Sequence, residues 1–126
     1  MVLAHGVVLA RLKDMDYSAI TACLDSKRLE QLKADYPIGK STVVAYNDFG
    51  YALAEAAQYD EAYRLLAEVE RSFPNRVVLK LNIADVLWEL DKDRSAVYYK
   101  EYADMMRKAG KAKLISTKAL ERSVAR

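Results

Sequence analysis

A shift of 34 residues lays the apolar pattern of this sequence over itself. Tyr46 falls on Lys80, Phe49 on Ile83, Gly50 on Ala84, Leu53 on Leu87, Ala62 on Ala96, Leu66 on Lys100 and Val69 on Ala103. Six of these seven pairs keep a small or apolar character when the aliphatic stem of Lys80 is counted. Within each copy the apolar residues recur with the period of a helix, not the alternation of a strand. A repeat of this length built from helical stripes implies helical hairpins that cannot bury their apolar faces alone and must stack. Helices that cross closely need little bulk at the crossing, and Gly50, Ala62, Ala84, Ala96 and Ala103 supply that.

Composition agrees. A chain of 126 residues suffices for one packed domain, and 52% apolar residues argue against disorder. With 4 Gly and 2 Pro, turn material is too scarce for a many-stranded sandwich or barrel. Leu3, Val7 and Ala10 mark a first helix, and Asp14 to Asp16 opens a second that carries Ile20, Cys23, Leu24 and Leu29. Tyr36-Pro37-Ile38-Gly39 should stop it. A third helix, capped by Ser41 or Thr42, runs to about Ala57, and a fourth covers Tyr59 to Ser72 before Phe73-Pro74-Asn75. The fifth spans about Val77 to Leu90 and stops at the charged turn Asp91-Lys92-Asp93. A sixth carries Ala96, Tyr99, Ala103 and Met106 to a left-handed cap at Gly110, and a last one, Lys113 to Val124, carries Leu114, Ile115 and Leu120.

The stretch Tyr46 to Asn75, YNDFGYALAEAAQYDEAYRLLAEVERSFPN, resembles a tetratricopeptide repeat through Tyr46, Phe49, Gly50, Leu53, Tyr59, Ala62 and Pro74. Residues 77–110 resemble a weaker copy, with Lys80 in place of the aromatic, Asp93 in place of the turn Tyr and Lys108 in place of the Pro. Residues 1–37 resemble a degenerate copy only through helix lengths, Asp16-Tyr17 and Tyr36-Pro37, with a second helix that is too long. The resemblance implies a single all-α domain over residues 1–126. This would be a right-handed superhelical α-solenoid of about three hairpins (1–37, 43–76 and 77–110) closed by a capping helix at about 112–125. In that family the first helix of each hairpin lines a concave groove that holds a peptide or a partner helix. The groove would then be lined by His5, Leu9 and Leu12, by Val44 and Ala54, by Val78, and by the expected contact residues Asn47, Tyr51, Glu55, Leu81, Asn82, Asp85, Trp88 and Glu89.

Tyr51 and Trp88 are natural anchors, because aromatic rings on rigid helices lose little entropy on binding. Trp88 also lies near the seam with the last helix, where it can serve as core. The carboxylates Glu55, Asp85 and Glu89 favour a protein or peptide ligand that brings Lys or Arg beside apolar groups. A second copy of the chain could fill the same groove. A dedicated partner that chaperones or neutralises one cognate protein is the alternative within this class. Family members that grip acidic chaperone tails use Lys, Arg and Asn where this chain has Val44, Asn47, Tyr51, Val78, Asn82 and Ala112; only the two asparagines agree.

Charge is segregated: the net value is +1 over residues 1–42, −5 over 43–91 and +6 over 92–126. The basic end could contact nucleic acid, but no aromatic follows Tyr102 for bases to stack on, so this reading is disfavoured. Catalysis is not expected. His5 and Cys23 sit on apolar stripes, and the sequence has no phosphate-cradling Gly loop, no nucleophile elbow and no metal-ligand spacing. No catalytic, cofactor or metal residue is assigned. Val2 to Ala10 is apolar but has no basic stretch before it and no cleavage site after it, and it is too short to span a bilayer. With a single cysteine, the expectation is a cytoplasmic protein that does not enter the membrane.

Overall fold

The structure, a computed structural model, describes residues 26–124. All regular structure among them is helical: α1 (Ser26–Asp35), α2 (Val43–Glu55), α3 (Tyr59–Ser72), α4 (Val77–Leu90), α5 (Lys92–Lys108), a 3-10 turn (Ala112–Leu114) and α6 (Thr117–Ser123). The expected first helix, the start of the second with Cys23, and the groove residues His5, Leu9 and Leu12 lie outside the described residues. No helix among those described is long and apolar enough to cross a membrane.

The chain divides after Ser72 into two compact units. In the first, α2 packs along α3 around buried Tyr46, Phe49, Leu53, Leu65, Leu66 and Val69, and Leu29 and Leu32 of α1 are also buried. The Tyr46 hydroxyl donates to the Tyr36 carbonyl, just beyond the end of α1, and lies 3.2 Å from the Leu32 carbonyl, which also accepts the Tyr36 amide at 2.8 Å. Burial, with the charges of Glu68 and Asp35 nearby, pushes this hydroxyl up to about 12, so it stays a donor. Lys33 of α1 bridges Glu30 at 2.7 Å and Glu68 of α3 at 2.5 Å.

Gly50 marks the crossing of α2 with α3. A Cβ there would come within 2.5 Å of Leu66 Cγ. The helix has no room for even one methyl at this point.

In the second unit, α4 packs on α5, and α5 carries α6 and the 3-10 turn. Ala84, Tyr99, Tyr102, Ala103, Met106, Ile115 and Ala119 form a single buried cluster. Ser95 is fully buried and donates from Oγ to the Ala84 carbonyl at 2.7 Å. A hydroxyl can reach a helical carbonyl of the neighbouring helix only where the two backbones run close.

The repeat differs from the sequence expectation by one residue. The 34-residue shift holds for the first helices, where Val43 and Val77 begin α2 and α4 and Phe49 and Ile83 are both buried. In the second helices the buried equivalents of Ala62, Leu66 and Val69 follow a shift of 33, at Ser95, Tyr99 and Tyr102, while of the residues expected from a shift of 34 Ala96 is half-buried, Lys100 exposed and Ala103 buried as expected. The cause is turn length. Ala56, Ala57 and Gln58 join α2 to α3, whereas Asp91 alone joins α4 to α5; the link is two residues shorter and α4 one residue longer than α2, which leaves a net loss of one.

The helix ends show the local causes. Thr42 does not cap α2 through its side chain, as expected for it or Ser41. Its Oγ1 instead accepts from the Gly39 amide at 2.9 Å and donates to the Pro37 carbonyl at 2.7 Å, closing the turn before the helix. α2 ends two residues sooner than expected, in a paired bond motif: Gln58 N–H donates to Leu53 O, and Ala57 N–H to Ala54 O. Ala57 takes φ 61° there. The same motif ends α5, with Gly110 in the left-handed position at φ 74° as the sequence predicts. The last helix is shorter than the expected Lys113 to Val124. Ile115 and Ser116 break it, and Ser116 Oγ accepts the Ala119 amide at 3.1 Å to start α6 afresh.

Two stability predictions follow from these positions. Gly50→Ala should destabilise the protein by about 1–2 kcal/mol in urea unfolding, because overpacking costs more than the roughly 1 kcal/mol that alanine gains in a helix. Adding Leu66→Ala in that background should cost less than it does in the wild type, and purely additive values would show that the crossing is not tight. Ala57→Gly should raise stability by roughly 0.5–1 kcal/mol, since a left-handed alanine is strained by about that much more than glycine; a loss would mean that the strain is absent.

Candidate functional site

A stripe of accessible residues runs along each first helix. On α2 it comprises Val44, Asp48, Tyr51 and Glu55, and on α4 Val78, Leu81, Asp85, Trp88 and Glu89, all at the three- and four-residue spacing that places side chains on one helical face. Val44 and Val78 are 56% and 55% exposed, so the accessible face recurs with the same 34-residue shift as the core. α2 contains no basic residue, and the one lysine of α4, Lys80, points away from the stripe to Glu101 at 3.2 Å. Both stripes are therefore apolar and acidic. Burial raises the Asp48 carboxyl above the usual carboxylate range, which makes a cation beside it favourable.

The expected contact residues separate into three environments. Tyr51, Glu55 and Glu89 are exposed. Leu81, Asp85 and Trp88 are half-buried, with Leu81 and Trp88 packed against the core cluster of the second unit. Asn47 and Asn82 are buried, at 7% and 9% exposure, so a ligand would reach them only after a neighbouring side chain moves.

The richest chemistry surrounds Trp88, the sole tryptophan of the chain. The Arg122 guanidinium of α6 lies over its ring at 4.1 Å. The Lys92 ammonium lies over it at 4.6 Å and donates to the Trp88 carbonyl at 2.9 Å. Arg122 also donates from Nη1 to the Tyr99 hydroxyl at 2.9 Å, and that hydroxyl donates to Asp85 Oδ1. Lys118, one turn before Arg122 on α6, approaches Asp85 Oδ1 at 3.7 Å. The result is a chain of charge-assisted contacts, Arg122 to Tyr99 to Asp85, laid against an indole face. Burial, and then the hydrogen bond to Asp85, hold the Tyr99 hydroxyl protonated well above the ordinary tyrosine range; Arg122 opposes them. Trp88, Thr117, Lys118, Glu121 and Arg122 line an open recess beside this chain of contacts.

The sequence places Trp88 at the seam with the last helix, and that is where it lies. It does not single out Arg122, Lys118, Tyr99 or Lys92 as partners of this stripe. The only signal for the first two is a basic segment facing an acidic one, without the helix phase that decides which cations turn inward.

Among the described residues, no group of three or more His, Cys, Asp or Glu is placed to hold a metal ion. Comparison with family models, with curated proteins and with solved structures finds no match to this chain.

Tyr99→Phe should remove both the acceptor of Arg122 and the donor to Asp85, costing about 1–3 kcal/mol in urea unfolding and shifting Trp88 emission as the guanidinium loses its fixed position. The pH dependence has a definite sign. Because the folded protein holds the Tyr99 proton more tightly than the unfolded chain, its contribution is complete below pH 10.0, the ordinary tyrosine value, and is lost as pH rises through the raised one. Stability should thus fall less steeply above that pH in Tyr99→Phe than in the wild type, and equal slopes would refute the assignment.

Proposed function

We propose that the chain is a tetratricopeptide-like α-solenoid that acts as a non-catalytic protein-binding module. Its ligand-facing surfaces are the first helices of its hairpins, and its ligand is a peptide or helix bearing Lys or Arg beside apolar residues. The observation that carries this reading is that α2 and α4, two helices 34 residues apart, each carry apolar and acidic residues at three- and four-residue spacing, with an exposed valine and an exposed glutamate at equivalent positions, Val44 and Val78, Glu55 and Glu89. A solvated face under no binding constraint needs no valine at the same exposed position of each copy, and neither helix contributes a cation of its own to its stripe. Rigid helices give such a face little conformational entropy to lose. The aromatic groups Tyr51 and Trp88 supply anchoring area, and Glu55, Asp85 and Glu89 supply selection for positive charge.

The test uses amphipathic peptides carrying Lys and Arg and the same peptides with Glu in their place. Binding should be confined to the basic set. Glu55→Lys together with Glu89→Lys should weaken it by about tenfold or more, the equivalent of about 1.4 kcal/mol, with far-ultraviolet circular dichroism unchanged. Both side chains are exposed, so neither change should disturb the fold. Equal affinity for acidic and basic peptides, or no effect of the double charge reversal, would refute the reading.

A further inference from the structure

The C-terminal helix has the chemistry that the acidic stripes select. α6 brings two cations to the α4 stripe, Arg122 over Trp88 and Lys118 beside Asp85, and between them it places Ala119, which is fully buried against the cluster of Tyr99, Tyr102 and Ala103. It is also weakly held. α6 spans seven residues, less than the roughly 12–15 needed for a helix to persist on its own in water. Ala119 is its one buried residue, and Leu120 and Val124, four residues apart on its outer side, are 40% and 81% exposed. An element with so few buried contacts opens at far lower free energy than the core beneath it. Its departure would leave Trp88, Tyr99 and Asp85 without Arg122 and Lys118, an apolar and acidic bed that calls for a similar occupant.

We propose that α6 is an internal occupant of the Trp88 site, and that the site's external ligand is a basic helical segment of the same design, which competes with it. The ligand presents a lysine, a small residue immediately after it and an arginine three positions further on, as Lys118, Ala119 and Arg122 do. The arginine stacks on the indole and donates to Tyr99, the small residue allows close approach to α5, and the lysine faces Asp85. This rests on the reading of α4 as a ligand-facing helix and gives that helix a regulated state, closed while α6 is docked. The other candidate ligand for a basic end, nucleic acid, offers phosphates to the cations and a base to stack on Trp88, but with α6 gone the site loses Arg122 and Lys118 and keeps Asp85, whose carboxylate repels phosphate.

Trp88 is the only tryptophan, so intrinsic fluorescence reads this site directly. The probe is a synthetic peptide with the sequence of residues 111–126, titrated into the full-length wild type and into full-length Ala119→Asp, in which a buried carboxylate should undock α6. The undocked variant should show a shifted Trp88 emission by itself and should bind the peptide at least tenfold more tightly than the wild type. The same peptide carrying Arg122→Glu should not bind. Arg122→Gln in the full chain, which removes the guanidinium and spares the packing of Ala119, provides a milder variant and should give a smaller gain in the same direction.

Equal affinity of the peptide for wild type and both variants, or no binding to variants that retain their helicity, would overturn the proposal and leave α6 as a structural cap. A Trp88 shift on concentrating Ala119→Asp alone, in step with a doubled mass in light scattering, would assign the site to a second copy and also overturn it. Should basic peptides bind the wild type in a manner abolished by Glu55→Lys with Glu89→Lys while undocking changes no affinity, the binding reading stands and only the role of α6 falls. Absence of any basic-peptide binding to either form removes both.

Discussion

How closely two helices can approach governs the rest of this structure. In the first unit the limit is set by Gly50, where any side chain would displace Leu66, and in the second by Ala84, whose carbonyl lies within hydrogen-bonding reach of the buried Ser95 hydroxyl. Close approach there turns the bulky residues on either side, Phe49 and Leu53 in one copy and Ile83 and Leu87 in the other, into the shared core of each hairpin. It also decides which residues of the first helices remain outside. Once Tyr46, Phe49 and Leu53 are buried in the hairpin, Val44 and Glu55 are left exposed on the outer side of α2. The candidate binding stripes are thus the geometric complement of the crossing.

Charge adds direction to this arrangement. The acidic helices α2 and α4 and the basic segment from α5 onward are neighbours in sequence, yet only a few of their charges meet. Lys118 and Arg122 reach the α4 stripe, while Lys108, Lys111 and Lys113 are exposed and form no ion pair among the described residues. Arg122 is the best placed, because a planar guanidinium can stack on an indole and hydrogen-bond in its own plane at the same time. A lysine at that position could do one or the other. The protonated Tyr99 hydroxyl completes the link, since it can accept from Arg122 and donate to Asp85 only while it keeps its proton.

Much of the fold is legible in the sequence, for physical reasons that differ from place to place. The bounds of α3 and α4, Tyr59–Ser72 and Val77–Leu90, coincide with the sequence expectation because Pro74 leaves no alternative between them. The left-handed Gly110 was equally plain. The phase of α5 was not. Ala96 and Lys100 give way to Ser95 and Tyr99, one residue earlier, while Ala103 is buried as expected beside Tyr102; both sets offer small and amphipathic side chains, so the shorter turn left only the mismatch of Leu66 with Lys100 as a trace. Thr42 and Ser116 show the same limit at the scale of caps, where a hydroxyl can serve the helix or the turn and only the local backbone decides. The acidic face of the site could be read from spacing alone. Its basic partners could not, because the break at Ile115 and Ser116 sets the rotation of α6 and with it which cations face Trp88.

Asp91 is the whole connection between α4 and α5: its backbone is extended, and its carboxylate accepts the Arg94 amide at 3.2 Å, while its own amide donates to the Leu87 carbonyl. One residue therefore closes the helix behind it and opens the one ahead. Fraying of either end removes an interaction that the other end needs, so the tip of this hairpin melts and re-forms as a single joint. In the three-residue link after α2 the same two backbone duties fall on Gln58, whose amide donates to the Leu53 carbonyl and whose carbonyl accepts the Ala62 amide, but there Ala56 and Ala57 stand between it and the end of the helix behind. Length changes at Asp91 would consequently be felt along both arms, whereas the Ala56 to Gln58 link can absorb them locally.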